Sequence, residues 1–170
     1  MTIESIWAGW RMSFIEGSAS DRYDRGVCVL CEIAQTTGSD KDLKVIERGR
    51  HCYVVMNIYP YTSGHLMVVP YLHSAEVADL GVESRIEIFD LLDRGISTLK
   101  GVYSPHGFNV GVNLGRAAGA GIAEHIHFHI VPRWNGDTNF MTTVAGARVQ
   151  PESLEVSYER ITTSWNKGST

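Results

Sequence analysis

Between Glu124 and Trp134 the chain places His125, His127 and His129 at alternate positions, separated by Ile126 and Phe128 and followed by Ile130 and Val131. Alternate side chains of a β-strand share a face. The spacing therefore predicts three imidazoles on one side of a strand over His125–Pro132, with Ile126, Phe128 and Ile130 buried on the other. Three solvated histidines on an edge strand would serve little packing purpose. An H-x-H pair with a third ligand would build a catalytic zinc site, since imidazole is the usual zinc ligand. Alternatively, one histidine is a nucleophile that its neighbours tune and assist. Just upstream, Asn109 to Leu114 runs into a loop carrying Gly115, Gly119 and Gly121. Small residues let backbone N–H groups approach and cradle an anionic phosphate. Set directly before the histidines, that loop favours a phosphate over a metal-bound water as the group being handled.

A second group of chemically capable residues is Cys28-Val29-Leu30-Cys31. By itself it reads as a redox pair, half of a zinc site, or two buried thiols. A redox role wants a thioredoxin-like βαβ context, which the surrounding pattern lacks. Zinc would need two further ligands. Cys52 reads as a small buried hydrophobe, and three cysteines with one C-x-x-C argue against a secreted disulfide framework.

These residues need a scaffold, and the pattern supplies one. Strand character appears at Lys44–Arg48, His51–Ile58, Leu66–Pro70, Phe108–Leu114 and His125–Pro132, with a Pro/Gly turn across Tyr59–Gly64. Between Val82 and Val102 the period changes. Ile86, Phe89, Leu92, Ile96 and Leu99 recur as a one-sided helical stripe, which is expected to face the core. Leu154, Tyr158, Ile161 and Trp165 predict a second helix near the end, with Pro151 suited to its first turn. Antiparallel strands with helices to one side make an α+β domain. Trp7 and Trp10, in an aromatic opening before a polar stretch, are expected to pack on the body of the protein or on a second subunit.

The chain has 170 residues, enough for one domain with a sizeable core. Fifteen basic residues against nineteen acidic ones leave −4 with neutral histidines, so no basic excess suggests a nucleic-acid surface. No run approaches the ~18 apolar residues of a membrane span, and no secretory leader pattern opens the chain. The expected location is the cytoplasm. His65 reads as a hydrogen-bonded core residue, and His51 and His106 as solvated.

The run His125-Ile126-His127-Phe128-His129-Ile130-Val131 resembles the signature of the histidine triad (HIT) superfamily of nucleotide hydrolases and transferases. The similarity extends through Asn57–Pro60, Gly64–Pro70 with His73, and Asn113 with its glycine loop. Trp7–Met12, Asn57–Tyr61 and Val131–Phe140 are similar to the bacterial branch that includes diadenosine tetraphosphate phosphorylase-type proteins. The resemblance implies one HIT domain over residues 1–170, with a core at about 28–134, an N-terminal arm at 1–25 and a C-terminal extension at 135–170. It also implies an antiparallel sheet extended across a homodimer, to which the Val82–Val102 helix and the N-terminal aromatics would contribute.

By the same resemblance His127 is the nucleophile toward the α-phosphorus of a nucleotide, His129 binds the phosphate or assists the leaving oxygen, and His125 completes the triad. Asn113 and the loop amides at Gly119 and Gly121 would hold phosphate oxygens. Asn57 stands where many relatives place a ribose-binding Asp. Val29, Leu30 and Ile33 match the residues that sandwich the base, though each reads equally well as plain core. Trp134 would close over the phosphate chain or simply pack. Zinc-bearing members and the related uridylyltransferases add a Pro-x-x-His and the first triad histidine to a C-x-x-C. Here that implies a structural Zn²⁺ on Cys28, Cys31, His73 and His125. The loop departs from many relatives in lacking a Gln or Ser donor before His125, leaving backbone amides or Arg116 for that job. The implied substrate is a dinucleoside polyphosphate. The rival readings are a nucleoside phosphoramidate hydrolase, a nucleotide-binding sensor with negligible turnover, and a metallohydrolase.

Overall fold

The computed structural model describes residues 27–137 and 152–168. The expected N-terminal arm, Trp7 and Trp10, Phe140 and Pro151 lie outside the described residues. The chain opens with α1 (Val29–Gln35) and a single helical turn, α2 (Asp40–Leu43). Three strands follow: β1 (Val45–Arg48), β2 (Cys52–Met56) and β3 (Leu66–Pro70). The long helix α3 (Val82–Tyr103) leads to β4 (Gly107–Val112) and β5 (Phe128–Arg133), and α4 (Leu154–Lys167) comes last. The strands form one antiparallel sheet in the order β1-β2-β3-β5-β4, giving the expected α+β class.

The sheet is covered on both faces. On one, Cys52, Val54, Met56, Leu66, Val68 and Ile130 pack against Ile88, Leu91, Leu92 and Leu99 of α3 and Tyr158, Ile161 and Trp165 of α4. On the other, Val45, Tyr53, Val55 and Val69 pack under Leu30 of α1. Each fully buried aliphatic or aromatic side chain contributes roughly 1.5–3 kcal/mol, so the first face holds most of the stabilising area. Among the described residues no helix is long and apolar enough to cross a membrane.

Two sequence expectations are corrected. First, α3 does not bury the whole Ile86–Leu99 stripe: Leu92 and Leu99 face inward, but Ile86 is 58% and Phe89 70% exposed. The buried face is instead Ile88, Leu91, Leu92, Gly95, Thr98 and Leu99. Gly95 explains the rotation, because a Cβ there would collide with Ile130 of β5. The helix lies too close to the sheet for any face but the one centred on glycine. Second, β5 begins at Phe128 rather than His125. The β3 ladder reaches only the Val68–Phe128 pair, and ahead of it the Ile126 amide donates to the Ser74 carbonyl at 2.7 Å. Pro132 is tolerated inside β5 because β3 pairing has already stopped at Ile130. The last helix, α4, starts at Leu154 behind Ser153, whose hydroxyl accepts the Val156 N–H as an N-cap.

Candidate functional site

The three triad histidines are all buried, yet only His129 stands on a regular strand. The His127 Nδ1–H donates to the His125 carbonyl at 2.8 Å. That bond fixes the tautomer and leaves the Nε2 lone pair of His127 as its basic nitrogen. Burial pushes the His127 pKa below the ordinary imidazole value, so the ring is neutral at pH 7. The His129 ring stands edge-on to it, with centroids 4.9 Å apart.

Behind His129 lies His65, fully buried, with Nε2 2.9 Å from His129 Nδ1. The Tyr61 amide donates to His65 Nδ1, so the His65 proton resides on Nε2 and is donated to His129. A neutral His129 consequently carries its own proton on Nε2 and presents it as a hydrogen-bond donor. Sequence reading placed His65 in the core and missed this link. The signal was in the pairing parity: Met67 pairs with His129, so His65, two residues earlier on β3's approach, stands on the same face as its diagonal neighbour.

The second cluster gathers Cys28, Cys31, His73 and His125, whose donor atoms all lie within 4.8 Å of one another. Cys28 Sγ is 3.4 Å from His125 Nδ1, Cys31 Sγ is 3.5 Å from the same atom, and Cys31 Sγ is 3.2 Å from His73 Nδ1. A tetrahedral Zn²⁺ with ordinary Zn–S and Zn–N lengths would separate S and N by about 3.5 Å. The donor set therefore fits that ion in type, number and spacing. The His125 Nε2–H donates to the Pro70 carbonyl at 2.9 Å, turning Nδ1 toward the thiols, as a metal-bound imidazole requires. Burial, and then the neighbouring Cys28, push the Cys31 thiol up to about 11; a bound cation would supply the charge that releases its proton. α1 presents Cys31 and is held by Arg48 of β1, whose guanidinium donates to the Ala34 and Ile33 carbonyls, both at 3.1 Å.

The remaining candidates are placed unequally. Leu30 is 2% exposed and belongs to the core beneath α1, while Val29 and Ile33 are half-buried at its edge. The Asn57 side-chain oxygen accepts the Tyr59 amide at 2.9 Å, and its amide nitrogen lies 3.4 Å from His65 Nδ1. Asn57 thus shapes the 57–61 turn and touches the histidine network. Asn113 is half-buried just past β4. In the loop after it, the amides of Ala118, Gly119 and Ala120 donate within the loop, to Gly115 and Arg116 carbonyls. Gly121 is exposed at its end. Trp134 stands edge-on to Tyr103 of α3, with ring centroids 6.4 Å apart. His106 is exposed and accepts the Asn135 amide, whereas His51 is half-buried, its amide donating to Glu87.

Residues 39–136 match the HIT domain family. The chain is 39% identical over 167 residues to an AP-4-A phosphorylase of Mycobacterium tuberculosis, covering 96% of this chain and 85% of that protein. It is 28% identical over 134 residues to an adenosine 5'-monophosphoramidase of Schizosaccharomyces pombe, covering 79% of this chain and 95% of that one. Among solved structures, a Zn-bound histidine triad family protein from Mycobacterium smegmatis superposes with a TM-score of 0.67 at 24% identity, over 84% of this chain and 95% of that one.

Proposed function

Because the chain belongs to the HIT domain family, we propose that this nucleotide hydrolase or nucleotidyltransferase cleaves dinucleoside polyphosphates at an α-phosphorus through a nucleotidyl-His127 intermediate. The observation that carries the reading is the His127 tautomer: Nδ1–H is committed to the His125 carbonyl, and burial keeps Nε2 unprotonated. Nε2 attacks the α-phosphorus. The P–N bond forms as the bridging P–O bond breaks, and the electron pair departs on the leaving phosphate oxygen. His129 donates a hydrogen bond from Nε2–H to that oxygen as its charge grows, and the His65 Nε2–H holds the His129 ring in that tautomer from behind. Water or inorganic phosphate then attacks the nucleotidyl phosphorus; the new P–O bond forms as the P–N bond breaks, its electron pair returns to His127 Nε2, and a proton of the attacking water passes to solvent. Splitting the displacement in two is the usual gain of covalent catalysis.

Asn57 is assigned to the ribose, Val29 and Ile33 to the base, and Asn113 with Gly121 to phosphate oxygens; the Gly119 amide already donates to the Arg116 carbonyl. Cys28, Cys31, His73 and His125 are assigned to a structural Zn²⁺, with four protein ligands closing the tetrahedron. The acting species is a homodimer in the cytoplasm. The exposed row Val82, Ile86 and Phe89 on α3 supports a partner contact, because the apolar surface there lies outward. The relative from S. pombe favours nucleoside phosphoramidates as a second substrate class for the same site.

Incubation with diadenosine tetraphosphate, with and without inorganic phosphate, tests the reading by product mass. ADP with ATP, formed only when phosphate is present, is phosphorolysis; AMP with ATP is hydrolysis. No turnover of this substrate or of adenosine 5'-phosphoramidate overturns it.

A further inference from the structure

The stretch that carries the nucleophile lies just outside the ladders of its own sheet. β3 and β4 both pair with β5 as far as Phe128, through Val68 and Val112, and neither pairing reaches His127. Yet His125, Ile126 and His127 are all buried. Their backbone is held from the segment after β3, where the Ser74 carbonyl accepts the Ile126 N–H at 2.7 Å. That N–H and the His125 carbonyl are the two ends of one peptide unit, whose atoms lie in a plane. The same His125 carbonyl accepts the His127 Nδ1–H at 2.8 Å. The direction in which the His127 ring is held therefore follows from the direction in which Ser74 holds the peptide. Hydrogen bonds in such a series also polarise one another, so a well-placed acceptor at Ser74 makes the His125 carbonyl a better acceptor in turn.

Ser74 is equipped to keep that carbonyl still. Its hydroxyl accepts the Glu76 N–H at 3.0 Å, closing a ring that contains the Ser74 carbonyl carbon, and donates to the Asp79 carboxylate. Asp79 ends a short 3₁₀ turn (Val77–Asp79) and precedes buried Leu80, whose carbonyl accepts the Arg85 Nε–H of α3 at 2.8 Å. A brace thus runs from the start of α3, through Asp79 and Ser74, to the His125–Ile126 peptide. We infer that Ser74, braced by Asp79, is a positioning residue for the nucleophile: it fixes the peptide that orients the His127 ring and so aims Nε2. This inference rests on the reading of His127 as nucleophile and adds what aims it. Asp79 is exposed and Ser74 half-buried, so trimming either opens no core cavity.

Ser74→Ala, Asp79→Ala, the double variant and Asp79→Asn are compared in steady-state turnover of diadenosine tetraphosphate. Zinc content is read by elemental analysis, and the imidazole N–H region of the proton NMR spectrum is recorded alongside. The His127 Nδ1–H resonance is the one missing from His127→Asn. Ser74→Ala and Asp79→Ala should each lower kcat about tenfold with KM within about twofold. The double variant should lose no more than about twofold beyond Ser74→Ala, since both act through one bond. Asp79→Asn, which keeps an acceptor for the hydroxyl, should retain at least about half of the activity. In both alanine variants the His127 resonance should move upfield and exchange faster with water, while zinc content matches the wild type. An unchanged kcat, an unchanged resonance, a fall in kcat matched by a fall in zinc content, or an Asp79→Asn as impaired as Asp79→Ala overturns the inference. A wild-type protein that turns over neither this substrate nor adenosine 5'-phosphoramidate overturns the proposed function instead, and the His127 resonance then decides whether Ser74 holds the ring.

Discussion

Two neighbouring clusters share the segment from His125 to His129 and are built by opposite rules. The His65–His127–His129 group is buried; a hydrogen bond joins His65 to His129 and an edge-on ring contact joins His129 to His127, and the proton positions are set by backbone atoms, the Tyr61 amide at one end and the His125 carbonyl at the other. Its protons are assigned before any ligand arrives. In the Cys28–Cys31–His73–His125 group only His125 is buried, and its donors converge from a helix start, a helix turn and two loops. Here the backbone orients one ring, through Pro70, and burial keeps the proton on the Cys31 thiol until a cation binds. Chemistry on a substrate needs fixed protons and lone pairs, whereas a structural metal needs only donors within reach.

The sharpest way to break this contrast is at His127. Replacement by Asn should cost about 10³-fold or more in turnover of diadenosine tetraphosphate, with thermal stability and metal content nearly unchanged. Equal losses of activity and stability would erase the distinction. Next comes the metal side. Cys28→Ala, or removal of metal with a strong chelator, should lower the thermal midpoint by about 4–10 °C. Elemental analysis of the untreated protein should find stoichiometric zinc. His65→Leu removes the donor behind His129 and should lower kcat about 10–100-fold, by analogy with other groups that orient a catalytic imidazole. KM should change little, and the acid–base limbs of the pH profile should shift. The smallest effect concerns pH. Because His127 has its pKa lowered by burial, the neutral nucleophile persists below pH ~6.5. Activity should hold its plateau through that value and fall only as the pH drops through the lower pKa of the folded protein. Stability should weaken earlier, as the pH falls from about 6.5 toward that lower pKa, since the unfolded chain there binds a proton that the buried ring refuses.

Much of this was legible because the signals were local. Strand alternation and the turn at Tyr59–Gly64 marked β2 and β3. The histidine run, the C-x-x-C and Pro70-x-x-His73 marked residues that the fold gathers into two sites. What escaped depended on distances between elements. The face of α3 was misjudged because two apolar rows run along it, and only the approach of Ile130 to Gly95 selects between them. The start of β5 was misjudged because alternation says nothing about where a partner strand ends. His65 joined the site through a register that no local pattern reveals. The glycine loop looked like a ready cradle, yet three of its amides serve its own turn.

The pleat of β5 divides the molecule's vulnerabilities. Phe128, Ile130 and Pro132 face α3, while His129, Val131 and Arg133 face the site, so residue parity sorts the harm a substitution does. Trimming Ile130 should weaken the fold by about 2–4 kcal/mol and spare the chemistry of each folded molecule, whereas a change at His129 should do the reverse. A slip of one residue would exchange the two sets at once. Seen this way, Gly95 against Ile130 is a guard on catalysis: by admitting one side chain of β5 closely, it forbids the register in which the imidazoles would face the core.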